Sequence, residues 1–231
     1  MTRPLVPTPS LGDANGLAEA RAARRKLLAA SLAGAALASL PWRALAQARV
    51  ATPRQTAGPF YPREFPADGD NDLVAVKGRS GLAKGELLLL AGAVMDVSGR
   101  PLAGARVEIW QCNAFGRYHH PGDGSGAPLD PNFQGWGEFV TGADGDYRFR
   151  TIKPVPYPGR TPHIHFRISG RAVPELVTQM YIEGEPGNAR DGVLGWISDP
   201  RQRSAVVVRL DKAPDGKALA GRFDIVLRAT T

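Results

Sequence analysis

Two histidines one residue apart, in Arg160-Thr161-Pro162-His163-Ile164-His165-Phe166, make up half of the four imidazoles in the chain. The other two, His119 and His120, directly follow Tyr118, and the first pair sits just downstream of Tyr157. In an extended strand, residues i and i+2 point to one face. His163 and His165 can therefore offer two ring nitrogens to one point while Ile164 packs behind them. Two imidazoles joined by two phenolates would make a hard, anionic nitrogen-and-oxygen site, suited to a ferric ion rather than Cu(I) or a zinc–thiolate centre. The spacing alone fits equally two half-buried polar residues on a strand with no metal. A cupin-type site wants a glutamate three or four residues on, but Ile168 and Ser169 follow and the first glutamate is Glu175. Cysteine-based zinc binding is excluded, because Cys112 is the only cysteine.

Those side chains must be positioned by the rest of a 231-residue chain, long enough for one or two domains. Residues 1–46 do not read as fold. Ala23-Arg24-Arg25-Lys26-Leu27-Leu28 is a twin-arginine cluster, residues 27–40 are an apolar stretch rich in Ala and Gly, and Ala44-Leu45-Ala46 is a small-x-small cleavage site. This is the build of a secretory signal, and the stretch falls short of the ~20 apolar residues of a membrane span. Ala23 and Leu27 depart from the strongest twin-arginine pattern, which leaves a Sec-type route open. The expectation is an exported protein, periplasmic or extracellular, with no stable membrane span after cleavage and a mature domain of residues 47–231.

Six of the 29 Lys and Arg and two of the 22 acids lie in residues 1–46, so residues 47–231 carry only +3. No basic stripe interleaved with aromatics is present, and nucleic acid is not an expected partner. A single cysteine in an exported protein cannot form an internal disulfide, and Cys112, at the end of an alternating strand, reads as a packed thiol.

Residues 47–231 read as many short strands separated by turns. Strand segments are residues 87–94, 106–110, 163–168, 176–182, 205–210 and 223–227. Residues 139–141 and 147–149 flank Ala143-Asp144-Gly145, and the Asp-Gly pair predicts a hairpin. No segment after the leader keeps a helical period over three turns. Eight short strands without helices predict an all-β, two-sheet sandwich with long site-bearing loops. The longest turn-rich insert, residues 114–135, carries Tyr118, His119 and His120. Loops mounted on a rigid sandwich are where sites usually sit.

The ordered series Thr56-Ala57-Gly58-Pro59-Phe60-Tyr61-Pro62, Gly104-Ala105-Arg106-Val107-Glu108-Ile109-Trp110-Gln111-Cys112-Asn113, Gly116-Arg117-Tyr118, Leu129-Asp130-Pro131-Asn132-Phe133, Pro156-Tyr157-Pro158, Pro162-His163-Ile164-His165-Phe166 and Thr178-Gln179-Met180-Tyr181 resembles the intradiol ring-cleavage dioxygenases. The likeness is strongest to the β-type catalytic chains of protocatechuate 3,4-dioxygenases and runs from about residue 52 to the end. It implies a non-haem Fe(III) cofactor held by Tyr118, Tyr157, His163 and His165. It implies further that Tyr157 leaves the metal when substrate binds, and that Arg160 and Gln179 line the substrate ring. The implied substrates are a catechol-type aromatic and O2, with the ring cut between its two hydroxylated carbons to a cis,cis-muconate-type diacid. The departing Tyr157 phenolate and a metal-bound hydroxide would accept the two catechol protons. The pattern departs from the family at Gly159, where the β-type chains carry tryptophan, and in the five residues separating Tyr157 from His163, a shortened loop. Partner subunits are not identified, and a homo-oligomer is compatible with the pattern.

Two other readings compete. Residues 96–109 and Asp144-Gly145-Asp146-Tyr147-Arg148-Phe149 also look like a transthyretin-like or carboxypeptidase-regulatory-like sandwich, a non-catalytic binding module. Such a module would not need Tyr118, Tyr157, His163 and His165 together. A hydrolytic metal site of His119, His120, His163 and His165 would leave both tyrosines unexplained. Tyr61 and Trp136 fit either a pocket wall or the core.

Overall fold

The computed structural model describes residues 49–66 and 68–228. The expected leader, residues 1–46, and its cleavage point lie outside the described residues. Among the described residues, ten strands form two five-stranded sheets. The first is built on β1 (Leu87–Asp96), seeded by the run Leu87-Leu88-Leu89-Leu90. β4 (Asp146–Ile152) runs antiparallel along one edge of β1. The other edge is shared in parallel by β9 (Leu219–Arg222) and β10 (Ile225–Leu227), with β8 (Leu210–Lys212) outside β9. The second sheet has the order β3 (Trp136–Val140), β2 (Arg106–Trp110), β5 (His163–Ser169), β6 (Leu176–Ile182) and β7 (Val207–Val208). The expected two-sheet sandwich therefore forms.

Period-two alternation decides what each sheet buries. Leu88, Leu90 and Val94 of β1 meet Val107 and Ile109 of β2 and Ile164, Phe166 and Ile168 of β5 in one apolar core. His163, His165 and Arg167 are thereby left on the opposite face of β5, and Glu108, Trp110 and Cys112 on the matching face of β2. That outer face is buried too, but by loops. A second cluster of Trp110, Cys112, Tyr118 and Trp136 packs there against Phe60, Tyr61 and Tyr157.

Three expectations about elements are corrected. Residues 139–149 do not form a hairpin: β3 pairs only with β2, while β4 pairs with β1 in the other sheet. The Asp144-Gly145 turn does form, with Gly145 at φ +71° and its amide donating to Gly142 O at 3.0 Å. It carries the chain between sheets, because a turn signal specifies local dihedrals and not the partner of the strand that follows. Val94 N of β1 donates to Gly145 O at 2.9 Å, which docks the turn on the first sheet. Residues 205–210 are two strands in different sheets, since β7 pairs β6 and β8 pairs β9. β9 was not expected, and the last strand shrinks to residues 225–227.

Among the described residues, helical structure is limited to a 3-10 turn Pro186–Ala189, α1 (Gly192–Gly195) and α2 (Pro200–Ala205). Their start signals are legible in hindsight, since the Asp191 and Asp199 side chains accept from Leu194 N and Arg201 N as N-caps. No helix among the described residues is long and apolar enough to cross a membrane.

Candidate metal centre

Strand register brings the two histidines together. On β5, His163 and His165 share the outer face, and their Nε2 atoms are 3.2 Å apart. Tyr157 arrives on the turn Pro156-Tyr157-Pro158-Gly159-Arg160, closed by Arg160 N donating to Tyr157 O at 2.9 Å. Its hydroxyl lies 3.4 Å from His163 Nε2. Tyr118 comes from the long insert and is pinned by its amide, which donates to Asp123 Oδ2 at 2.7 Å. Its ring stands edge-on to Tyr157, with centroids 5.6 Å apart, and 6.2 Å from that of His165. The four residues expected as ligands thus converge from three separate segments.

Several observations test whether this cluster fits a metal. Tyr118 OH is buried with no hydrogen bond of good geometry, the Tyr157 hydroxyl being its weak neighbour; a poorly satisfied buried hydroxyl costs up to ~1–3 kcal/mol, which a cation would relieve. His163 Nδ1 lies 2.7 Å from Thr161 O, which places the proton on Nδ1 and turns the Nε2 lone pair inward. Burial, helped by the Arg160 charge, lowers His163 to about 4. Burial and the neighbouring His163 hold His165 well below its ordinary value. Both rings are therefore neutral near pH 7, the form a metal needs. Burial raises Tyr118 well above 10 and raises Tyr157 as well, so neither phenol ionises unless a cation stabilises the phenolate. The Cys112 thiol is occupied elsewhere, donating to Val155 O at 3.7 Å, and burial pushes it up to about 12. The donor set is two imidazoles and two phenols, and it fits a hard trivalent iron.

No group of three His, Cys, Asp or Glu converges among the described residues, so the four-histidine hydrolytic site does not form. His119 is exposed, and His120 Nδ1 accepts from Gly122 N at 2.9 Å.

Arg160 and Gln179 lie beside the cluster and touch each other: Arg160 Nη2 donates to Gln179 Oε1 at 2.5 Å. Gln179 sits across from His165 in the β5–β6 register, and its Nε2 donates to Thr56 O at 2.8 Å. It thus satisfies a backbone carbonyl and fixes Arg160 at once. The Arg160 side chain, 15% exposed, is anchored by Asp191, with Nε to Oδ2 at 2.8 Å. Asp191 also accepts from Thr161 N at 3.0 Å and Leu194 N at 2.9 Å. Although burial opposes it, these donors keep its carboxyl below the usual range. Sequence reasoning missed Asp191. In Arg190-Asp191-Gly192 it reads as an ordinary turn residue, and its partner is 31 positions away. A cavity of about 410 Å³ opens beside Tyr157, Gly159, Arg160 and Asp191.

A family model described as "Dioxygenase" matches residues 56–229. The chain is 42% identical over 184 residues to a protocatechuate 3,4-dioxygenase beta chain of Burkholderia cepacia, covering 76% of this chain and 78% of that one. It is 33% identical over 156 residues to a hydroxyquinol 1,2-dioxygenase of Rhizobium sp., covering 60% of this chain and 50% of the relative. Among solved structures, the dioxygenase domain of a dioxygenase–carbohydrate-binding protein fusion from Streptomyces sp. SirexAA-E superposes with a TM-score of 0.61 at 32% identity. That match covers 78% of this chain and all of the other. These likenesses favour an enzyme over the transthyretin-like binding module.

Proposed function

The chain belongs to the intradiol ring-cleavage dioxygenases, a family that uses non-haem iron, and we propose that it holds Fe(III) on Tyr118, Tyr157, His163 and His165. Its reaction opens a catechol-type ring between the two hydroxylated carbons with O2. The observation that carries the iron site is the convergence of the His163 and His165 imidazole nitrogens and the Tyr157 hydroxyl, with the buried Tyr118 ring edge-on to Tyr157 beside them.

When bound, iron(III) supplies the Lewis acidity that makes a chelated catechol reactive toward O2. The remaining work falls to the protein. Tyr118 is buried and held by its amide, whereas Tyr157 is half-buried on a turn that borders the open cavity. Tyr157 is thus the tyrosine free to swing away. A released Tyr157 phenolate, with an ordinary phenol value of about 10, would be basic enough to take up a catechol proton. Arg160, fixed at both ends by Asp191 and Gln179, presents a permanent positive charge where negative charge gathers on the ring, a preorganised electrostatic role.

Purified protein is expected to hold about one iron per chain, to show a phenolate-to-iron charge-transfer band and to consume O2 with a catechol. Colourless protein holding zinc would contradict the site.

Substrate range follows from Gly159. Its φ is +81°, and a Cβ built there meets no atom within 4 Å, which supports an open pocket mouth where the β-type relatives carry an indole. A methyl-sized difference in an apolar pocket is worth only ~1–3 kcal/mol. Oxygen uptake on catechol, 4-methylcatechol, protocatechuate and hydroxyquinol should therefore give graded rates, with no strong demand for a ring carboxylate. Cleavage of protocatechuate alone would mean that another loop closes the mouth.

Export is also proposed, supported by the twin-arginine cluster, the apolar residues 27–40 and Ala44-Leu45-Ala46. N-terminal sequencing of periplasmic or secreted protein should start near Gln47. An intact leader on cytoplasmic protein would refute this.

A further inference from the structure

The segment Thr56-Ala57-Gly58-Pro59-Phe60-Tyr61 touches the candidate centre on several sides. Thr56 O accepts from Gln179 Nε2. Gly58 has φ +67°, and a Cβ there would stand 3.3 Å from His165 Cε1. The Phe60 ring packs on Tyr118 at 4.7 Å. Tyr61 reaches behind the histidines. Its hydroxyl donates to Glu108 Oε1 at 2.9 Å and accepts from Arg167 Nη1 at 3.1 Å. Its ring edge meets Trp110 at 4.9 Å and 84°.

The two histidines are oriented differently. A metal-bound imidazole must keep its ring plane aimed at the ion, and this is ordinarily done by a hydrogen bond to the other nitrogen. His163 has that bond, through Nδ1 and Thr161 O. His165 lacks an equivalent: its Nδ1 is buried with no hydrogen bond of good geometry, and only a weak interaction with the Thr56 backbone reaches the ring. What it has is the Trp110 indole lying flat against it, with centroids 4.8 Å apart and planes 7° apart. Register explains the arrangement: β2 and β5 place Trp110 opposite His165 and Glu108 opposite Arg167. Tyr61 spans both pairs. Glu108 is fully buried, and its Oε2 has no hydrogen bond. Guanidinium nitrogens of Arg106 and Arg167 stand 3.6 and 3.9 Å from its carboxylate, so Tyr61 supplies the hydrogen bond that fixes it.

We propose that Tyr61 is a positioning residue: tied to Glu108 and Arg167, it holds Trp110 against His165 and so sets the plane of that imidazole. The inference rests on His165 being an iron ligand. Tyr61→Phe keeps the ring and removes the tie. Iron affinity, measured by competition with a chelator, should fall ~10–100-fold, the range for lost outer-shell support, and the charge-transfer band should shift. Tyr147→Phe is the control. It removes another buried tyrosine hydroxyl, bonded to Phe223 O within the main core, and should lower the melting temperature of metal-free protein without changing iron affinity.

Unchanged iron affinity and an unshifted band in Tyr61→Phe, with wild-type protein binding iron normally, would overturn the role of Tyr61 alone. Wild-type protein that binds no iron would overturn the metal site first. If Tyr61→Phe does not fold, Trp110→Phe shortens the stacking face directly and should weaken iron in the same direction; unchanged affinity there overturns the proposal equally.

Discussion

Tyr118→Phe and His165→Ala should each yield folded protein that has lost the colour and binds iron more than about 100-fold more weakly, beyond the range seen when only outer-shell support is removed. Tyr118→Phe is the sharper of the two. In the metal-free fold the Tyr118 hydroxyl is buried with only a weak neighbour in Tyr157, and a poorly satisfied buried hydroxyl costs up to ~1–3 kcal/mol. Deleting it should leave metal-free stability unchanged or raised while iron retention collapses. A side chain kept for packing would behave in the opposite way, because removing a well-bonded hydroxyl lowers stability and leaves metal content alone. His165→Ala does cost stability, since it uncovers the face of Trp110 and opens space beside Gly58. Its melting curve must therefore be read together with its iron content. Iron analysis after gel filtration in the presence of a chelator, with thermal melts of the metal-free proteins, separates the two effects. Full iron retention in both variants would remove these residues from the ligand set.

The strands that carry the site were legible because one of their faces is uniformly apolar. Ile164, Phe166 and Ile168 alternate with His163, His165 and Arg167, and the expected limits of residues 106–110 and 176–182 match β2 and β6. Sheet membership was not legible. The Asp144-Gly145 turn looks the same whether the chain returns beside its own strand or crosses to the other sheet, and the difference lies in the distant contact between Gly145 and Val94. The break between β7 and β8 has no Gly or Pro to announce it. Of the proposed ligands, the His163–His165 pair could be inferred from local spacing, and Tyr118 and Tyr157 only through the family resemblance. Their supports could not: Asp191 meets Arg160 across 31 positions and Tyr61 meets Glu108 across 47, and neither pair has a spacing rule. Glu108 carried the one available hint, a carboxylate facing the same side of β2 as Trp110.

Arg160→Ala is expected to keep iron and the charge-transfer band yet lose turnover on the order of 10²–10³-fold, the usual cost of removing one preorganised charge donor. The guanidinium is not a loop charge in water. It lies 15% exposed between Asp191 and Gln179, which fixes its position before substrate arrives. The same burial complicates the test, because removing one partner of a buried pair leaves the other charge uncompensated and can cost ~3–5 kcal/mol. Arg160→Ala will therefore melt lower, and lost turnover could be mistaken for lost fold. The double variant Arg160→Ala/Asp191→Asn removes the stranded carboxylate charge and should recover part of that stability, while turnover stays low because the positive charge beside the ring is still missing. The loss should fall mainly on kcat, as it does for an interaction strengthened in the transition state. Oxygen uptake with a catechol, measured well below each melting temperature, gives the answer. If turnover returns with stability in the double variant, Arg160 serves only to hold the 156–191 region together.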